Sequence, residues 1–424
     1  MKLWAILFLT VFLFGCAGVR EAPPPQPYEF ELWDYRQPLV GDEFAYQEQL
    51  LHVLEEFTVL HPHITIRVRI LNWQEGPQAL ERARSEGQFP DIYRSLDLSQ
   101  VSLHDPLHGV SEEEDHYWPA ATSGISRDGI RWGWPSWLGW ELWLLNTAWF
   151  EDHDAGTWQD WQRHGYSWEE LGDVLAGKPA SIDWEGSDIW QLYQHPAPLY
   201  VDRMLALAEG LQALKAQEAV RDLKLAEGQR LDDFYRGVTP VTAPVSPFLA
   251  RYLIDRITTR SEASGQAPEG SHLLWLPPPT IGFAAEFPWQ VSSYHVYKVE
   301  DDEERTLWAQ RLAAYLAKHM GRWGAEKLGV IPALESDLTR WSLASELPLA
   351  LRSAMIRDLE RELPPLKTVE ERQQGEAIWS EQVLPAMLTM LESSPLSYDE
   401  LKEHLLEHLD MLARGAGGEE EETR

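Results

Sequence analysis

His404-Leu-Leu-Glu407-His408 matches the H-x-x-E-H spacing of certain zinc peptidases. On a helix the two histidines share a face, as ligands of one zinc ion do. The same segment carries Leu401, Leu405, Leu409 and Leu412 as an apolar stripe and runs toward the acidic tail Glu419–Glu422. It therefore reads as a closing amphipathic helix, not a metal centre. His61-Pro62-His63 falls at a helix-to-strand turn and is likewise not read as a metal site. So acidic a chain is compatible with paired carboxylates that cleave glycosides. No G-x-S-x-G elbow and no glycine-rich phosphate loop accompanies them. The sequence predicts no catalytic residue, no cofactor and no metal.

Aromatic residues supply the stronger signal. The chain holds 21 tryptophans, and Trp132, Trp134, Trp137, Trp140 and Trp143 crowd into Arg131–Asn146. Pro135 and Gly139 interrupt any helix there. Leu142-Trp143-Leu144-Leu145 reads as a buried strand ended by Asn146. The stretch is predicted to cross between two lobes, with rings lining the cleft; packing of the same rings in a core is the competing reading.

The elements that would position these residues follow in order. Residues 1–16 are one lysine, a short apolar run and Gly15-Cys16, an export signal too short to span a bilayer, which needs roughly 20 residues. Cys16 is the only cysteine, so no disulfide braces the fold. Residues 17–27, with Pro23-Pro24-Pro25, form a semi-rigid tether. The net charge of −32 argues against nucleic acid as a partner.

Tyr28–Tyr35 alternates as a strand. Asp42 opens a helix to about Leu60, with Leu50, Leu51, Leu54 and Phe57 on one face. Ile64–Ile70 is a strictly alternating strand, Gly76–Glu86 a helix, and Pro90–Tyr93 begins a third strand. That order predicts a parallel sheet with right-handed crossovers. Helix starts are expected at Thr157, Ser167 and Ser181, with a long amphipathic stretch over Leu205–Leu225. Leu273–Leu276 reads as a strand, and Glu286–Lys298 as a second crossing strand. A helix over 303–320 has Leu307, Trp308, Leu312, Tyr315 and Leu316 on its apolar side.

Several pieces, in order, resemble a bacterial extracellular solute-binding protein of an ABC importer, of the carbohydrate-binding type. They are Leu13-Phe14-Gly15-Cys16, Phe57 to Val68 with its His61-Pro62, Gly87–Ile92, Gly133-Trp134-Pro135, Leu144-Leu145-Asn146, Trp168–Leu171, Leu276-Pro277-Pro278, Ser292-Ser293 and Gly329–Pro332. Leu144-Leu145 stands where the family often carries a tyrosine pair. The resemblance implies an α/β fold of two lobes closing on a ligand. It implies cleavage before Cys16, acylation of Cys16, and lipid anchoring on the extracytoplasmic face. The expected partners are a carbohydrate and the transmembrane subunits of an ABC permease.

The expected organisation is a lipoprotein signal over 1–16, a tether over 17–27, and an N-terminal lobe over 28–134, to which about 290–320 return. A C-terminal lobe covers 135–289, to which about 321–412 return, and 413–424 form an acidic disordered tail. In parallel sheets, ligands sit beyond the carboxyl ends of the strands. Strand ends and crossings thus nominate Trp33, Asp34, Trp73, Trp137, Trp140, Glu141, Trp289 and Tyr294 as ligand contacts. Two other functions are weighed: a binder or sensor of a non-sugar polar solute such as a peptide or polyamine, and a secreted glycoside-acting enzyme.

Overall fold

A computed structural model describes residues 26–366 except 38, 40–41, 98–99, 104, 111–115, 151–154, 179, 183–209, 211–213, 215–216, 218–226, 251, 254–255, 257–271, 281–284 and 298–301, plus isolated later positions. The signal, the tether, the Leu205–Leu225 stretch, the His404–His408 pattern and the acidic tail lie outside the described residues, wholly or nearly so.

The chain opens with β1 (Tyr28–Tyr35), α1 (Ala45–Leu60), β2 (Ile64–Leu71), α2 (Glu75–Glu86) and β3 (Ile92–Ser95). Next come α3 (Pro119–Ser123), β4 (Ser126–Arg127), β5 (Ile130–Arg131), β6 (Trp134–Gly139) and β7 (Leu142–Asn146). Then follow α4 (Ala155–His164), α5 (Trp168–Leu175), β8 (Ala180–Ile182), α6 (Glu227–Tyr235), β9 (Val241–Val245) and β10 (Leu273–Leu276). β11 (Gln290–Val296), α7 (Glu303–Lys327), β12 (Ile331–Pro332), α8 (Leu338–Ala344) and α9 (Leu349–Asp358) complete the series.

One sheet has six strands in the order β12-β6-β11-β3-β1-β2, and a second has four in the order β10-β7-β9-β8. β1 runs parallel to β2 and β3, whereas β11 is antiparallel to β3 and β6. The sheet predicted to be parallel is therefore mixed, because the returning strand β11 enters from the opposite end. The arrangement is the two-lobe α/β fold of periplasmic binding proteins.

Both faces of the six-stranded sheet are covered. α1 and α7 bury Leu50, Phe57, Leu312 and Met320 against Phe30, Leu32, Ile92 and Trp137. α2 buries Ala79, Leu80 and Ala83 against Trp33, Tyr35 and Tyr93 on the other face. A third cluster joins the sheets, with Leu138, Val291 and Ile331 from one, Leu144 and Val245 from the other, and Trp341 and Met355 from α8 and α9.

Local chemistry explains the element ends. Asp42 Oδ1 accepts from the Phe44 and Ala45 amides just ahead of α1. Ser167 and Glu170 form a reciprocal capping box at α5, as their spacing predicts. Gly87 closes α2 in the left-handed conformation, at φ 66°.

Several expectations are corrected. Ser181 lies within β8, not at a helix start, because residues 180–182 pair in parallel with Val241–Ala243. α4 begins at Ala155, ahead of Thr157. Leu51 and Leu307 are exposed; Val53 and Ala309 take the buried positions on α1 and α7. The chain leaves the first sheet after Gly139, not after Trp134, since β6 pairs with β11 and β12 through that length.

Candidate functional site

The strand directions locate the site. β6 runs the same way as β1, β2 and β3, because each of β6 and β3 is antiparallel to β11. Two residues beyond its end, Trp140 and Glu141, the chain enters β7 of the second sheet. The carboxyl ends of β1, β2 and β3 therefore face the second sheet. There β9 and β10 are antiparallel to β7, and β8 is parallel to β9. All three end on the side from which β7 starts, so the carboxyl ends of both sheets converge on one gap.

On the first sheet the segments just beyond β1, β2 and β3 lie on this side. Trp73, after β2, is 56% exposed. Its loop is fixed: Asn72 Oδ1 accepts from the Gln74 and Glu75 amides at 3.0 and 2.7 Å, an Asx turn. Beneath it lies Tyr35, ring centroids 6.5 Å apart. The Tyr35 hydroxyl meets that of Tyr93 at 2.7 Å, and Tyr93 donates to Gln100 Oε1 at 3.1 Å. Gly76 is required here, since a Cβ would stand 2.2 Å from the Tyr35 ring. Burial raises the pKa values of Tyr35 and Tyr93, so both hydroxyls stay neutral. After β1, Arg36 donates to Glu43 at 2.6 Å and lies over the Phe44 ring.

The other nominated residues have different surroundings. Asp34, Trp137 and Tyr294 come together in a buried cluster with Arg94 and Tyr46, between the first sheet and helices α1 and α7. Asp34 accepts from Arg94 Nη1 at 2.9 Å, from the Tyr294 hydroxyl at 2.9 Å and from the Tyr46 hydroxyl at 3.0 Å. Arg94 also donates to Ser292 Oγ and lies 4.1 Å from the Trp137 ring centroid. Burial alone would lower the Arg94 pKa, but Tyr46, Asp34 and Tyr294 together raise it, so the guanidinium stays charged.

Trp140 and Trp289 belong to the two crossings and are buried. The Trp140 indole N–H donates to the Gly329 carbonyl at 3.1 Å, and that of Trp289 to Asp358 Oδ2 at 2.9 Å. Glu141 is 7% exposed beside Trp140. Trp33 packs over α2, carries Arg69 on its ring and donates to Glu31. Of the residues nominated as ligand contacts, Trp33, Asp34, Trp137, Trp140, Glu141, Trp289 and Tyr294 have buried side chains in this structure. For Trp33, Asp34, Trp137 and Tyr294, period-2 alternation places the side chain on a face of the sheet, and helices cover both faces; Trp140 and Trp289 are buried in the cluster that joins the two sheets. Of the eight, Trp73 alone is exposed.

Sequence reasoning missed Arg94 and Tyr46; Tyr35 and Arg36 stand at the carboxyl end of the first strand that it identified. An arginine inside the short apolar run Ile92-Tyr93-Arg94-Ser95 was the available signal for a buried counter-charge, with Asp34 in the neighbouring strand as its partner. Nothing local marks Tyr46 as the third member.

A second polar cluster lies on β3 and β11. His295 Nε2 is 3.0 Å from Ser95 Oγ and 2.7 Å from Ser293 Oγ, and its Nδ1 faces the Trp132 carbonyl at 2.8 Å. Burial brings the His295 pKa down to about 4. Both serines are 0% exposed, so this serine–histidine set fastens strands instead of presenting a nucleophile. A cavity of about 40 Å³ adjoins Trp140 on the β12 flank of the crossing, lined by Pro247, Trp275, Gly329 and Leu347. Among the described residues no group of three or more histidine, cysteine or acidic side chains is placed to hold a metal ion. None of the described helices is long and apolar enough to cross a membrane.

No family model and no curated protein matches this sequence. Solved structures do resemble the fold. The sugar-binding protein MalE from Xanthomonas citri superposes with a TM-score of 0.66 at 16% identity, over 93% of this chain and 100% of that one. An extracellular solute-binding protein of family 1 from Alicyclobacillus acidocaldarius gives 0.58 at 15% identity, over 92% and 100%. A cyclo/maltodextrin-binding protein complexed with maltotetraose gives 0.60 at 12% identity, over 92% and 99%.

Proposed function

We propose that this protein binds a sugar or oligosaccharide in the gap between its two sheets and delivers it, by closure of the lobes, to an ABC-type importer. The observation that carries the reading is the convergence of both sets of strand ends on one side, with an exposed indole, Trp73, just beyond β2. Sugar rings present apolar C–H faces that stack on such a surface, while their hydroxyls bond to polar groups at strand ends. The fold it shares with structures that bind sugars supports the same reading. Closure follows from linkage: the ligand favours the closed state by its extra affinity for it. The Gly15-Cys16 sequence supports acylation of Cys16 and retention at the outer face of the cell membrane.

A thermal-shift screen of the chain from Tyr28 onward tests the proposal. A ligand that binds only the folded state raises the melting temperature by mass action. A shift with one class of saccharide is expected. Shifts confined to peptides or polyamines would overturn the sugar assignment, and turnover of a glycan would overturn the non-catalytic one.

A further inference from the structure

Resting on the lobe motion of that reading, we propose that Asp358–Leu366 is an inter-lobe strap, a further connection that holds the lobes in the arrangement of this structure and narrows the range over which they move. Its two ends sit in different lobes. α9 packs on α4, where Arg357 donates to the Arg163 carbonyl at 2.7 Å. α4 is tied to the second sheet by Gln162, whose side-chain amide donates to the Trp275 carbonyl at 2.9 Å. At the other end of the strap, Leu366 is 2% exposed in the first-lobe cluster with Tyr93, Leu107 and Tyr297. Between these ends the segment is bonded along its length. The Leu359 carbonyl accepts from the Ala120 amide at 2.9 Å, and the Leu366 amide donates to the Ser126 carbonyl at 3.2 Å. Midway, the Leu363 amide donates to Ser123 Oγ at 2.7 Å, and that hydroxyl donates in turn to the Pro119 carbonyl. The strap thus follows α3 and β4, which precede β6 of the first sheet. Its start is held to the second crossing, since Arg361 donates to both Asp358 and the Phe287 carbonyl.

Chain stiffness distinguishes this strap from a loose loop. Pro364 and Pro365 each fix φ near −65°, and a proline also restricts the residue before it, so Leu363, Pro364 and Pro365 have few alternative conformations. A stiff segment cannot absorb a displacement of its ends by recoiling. Any rotation of the lobes that moves α9 relative to α3 therefore breaks the bonds to Ala120, Ser123 and Ser126 or draws Leu366 from its core. Both cost free energy, and the cost falls on every arrangement that does not keep the strap docked. The strap thereby sets part of the balance between lobe arrangements, and apparent ligand affinity scales with the fraction in the competent one.

Double electron–electron resonance between spin labels at Arg82→Cys on α2 and Asp160→Cys on α4 reads the lobe separation. The ligand-free full chain carries Cys16→Ser, which removes its only native cysteine. The strap variant is Ser123→Ala/Pro364→Gly/Pro365→Gly. With the native strap, one narrow distance distribution is expected; the variant should broaden it by several ångströms. Hydrogen exchange at the Ala120 and Leu366 amides, whose acceptors the variant leaves in place, should quicken about 2- to 10-fold. A folded variant with an unchanged distribution overturns the proposal, as does a distribution that is already broad with the native strap. Should the triple variant lose its cooperative melt, Ser123→Ala alone decides on the same two readouts. Adding saccharide to the same samples separates the two readings: distances that no saccharide alters count against ligand-driven closure and leave the strap standing.

Discussion

Replacing Arg94 with leucine removes a guanidinium that lies 2.9 Å from Asp34 and 4.1 Å from the Trp137 ring centroid. Both charged side chains are 0% exposed. Asp34 would keep the Tyr46 and Tyr294 hydroxyls and the Tyr35 amide but lose its counter-charge. Removing one partner of a buried ion pair costs about 3–5 kcal/mol, because the remaining charge stays desolvated. Removing both charges avoids that penalty. The double variant Asp34→Leu/Arg94→Leu should therefore be more stable than Arg94→Leu alone, although it forfeits the tyrosine bonds to the carboxylate. Among the described residues Arg94 Nη2 has no hydrogen-bond partner. Urea unfolding of the three proteins gives the order, and saccharide calorimetry on the same samples gives the affinities. If Arg94→Leu unfolds like wild type while its saccharide affinity collapses, the cluster belongs to the ligand site and the assignment to the core is refuted.

Two further outcomes are expected. The His295 pKa is about 4 in the fold against an ordinary 6.5, so between these values the unfolded chain holds the extra proton. This contribution to stability is full above pH 6.5 and is lost as pH falls toward 4, by about 3 kcal/mol. His295→Gln should lack that component when stability–pH profiles are compared; parallel profiles would sink the argument. Asp358 Oδ2 accepts from the Phe287 amide, the Trp289 indole and Arg361, fixing the second crossing to α9. Asp358→Ala should destabilise by about 1–3 kcal/mol for each buried donor left unpaired and raise hydrogen exchange at Phe287; unchanged exchange there would show that the crossing is held by other contacts.

Much of the architecture was legible because it rests on local rules. The alternation of Ile64–Ile70, the Ser167–Glu170 capping box, Gly87 after α2 and the strand Leu142–Asn146 are set by period, cap chemistry and backbone freedom within a few residues. The order of strands and helices then points to a parallel sheet with ligands beyond its strand ends, and the family resemblance implies two lobes closing on a ligand. What the sequence left undetermined was which side of each element would meet water. Trp137 and Trp73 are the same residue type, one nominated from a crossing and the other from a strand end, yet one lies under Arg94 and α7 while the other is exposed. That difference depends on α7, contributed from residues 303–327, far along the chain. Likewise Asp34, Arg94 and Tyr294 are separated by 60 to 260 positions, and only sheet order makes them neighbours. Composition and periodicity are properties of short stretches, so they determine the elements and the supply of aromatic rings. Burial and ion pairing are properties of residues distant in sequence, so only the tertiary structure decided which rings remain available to a ligand.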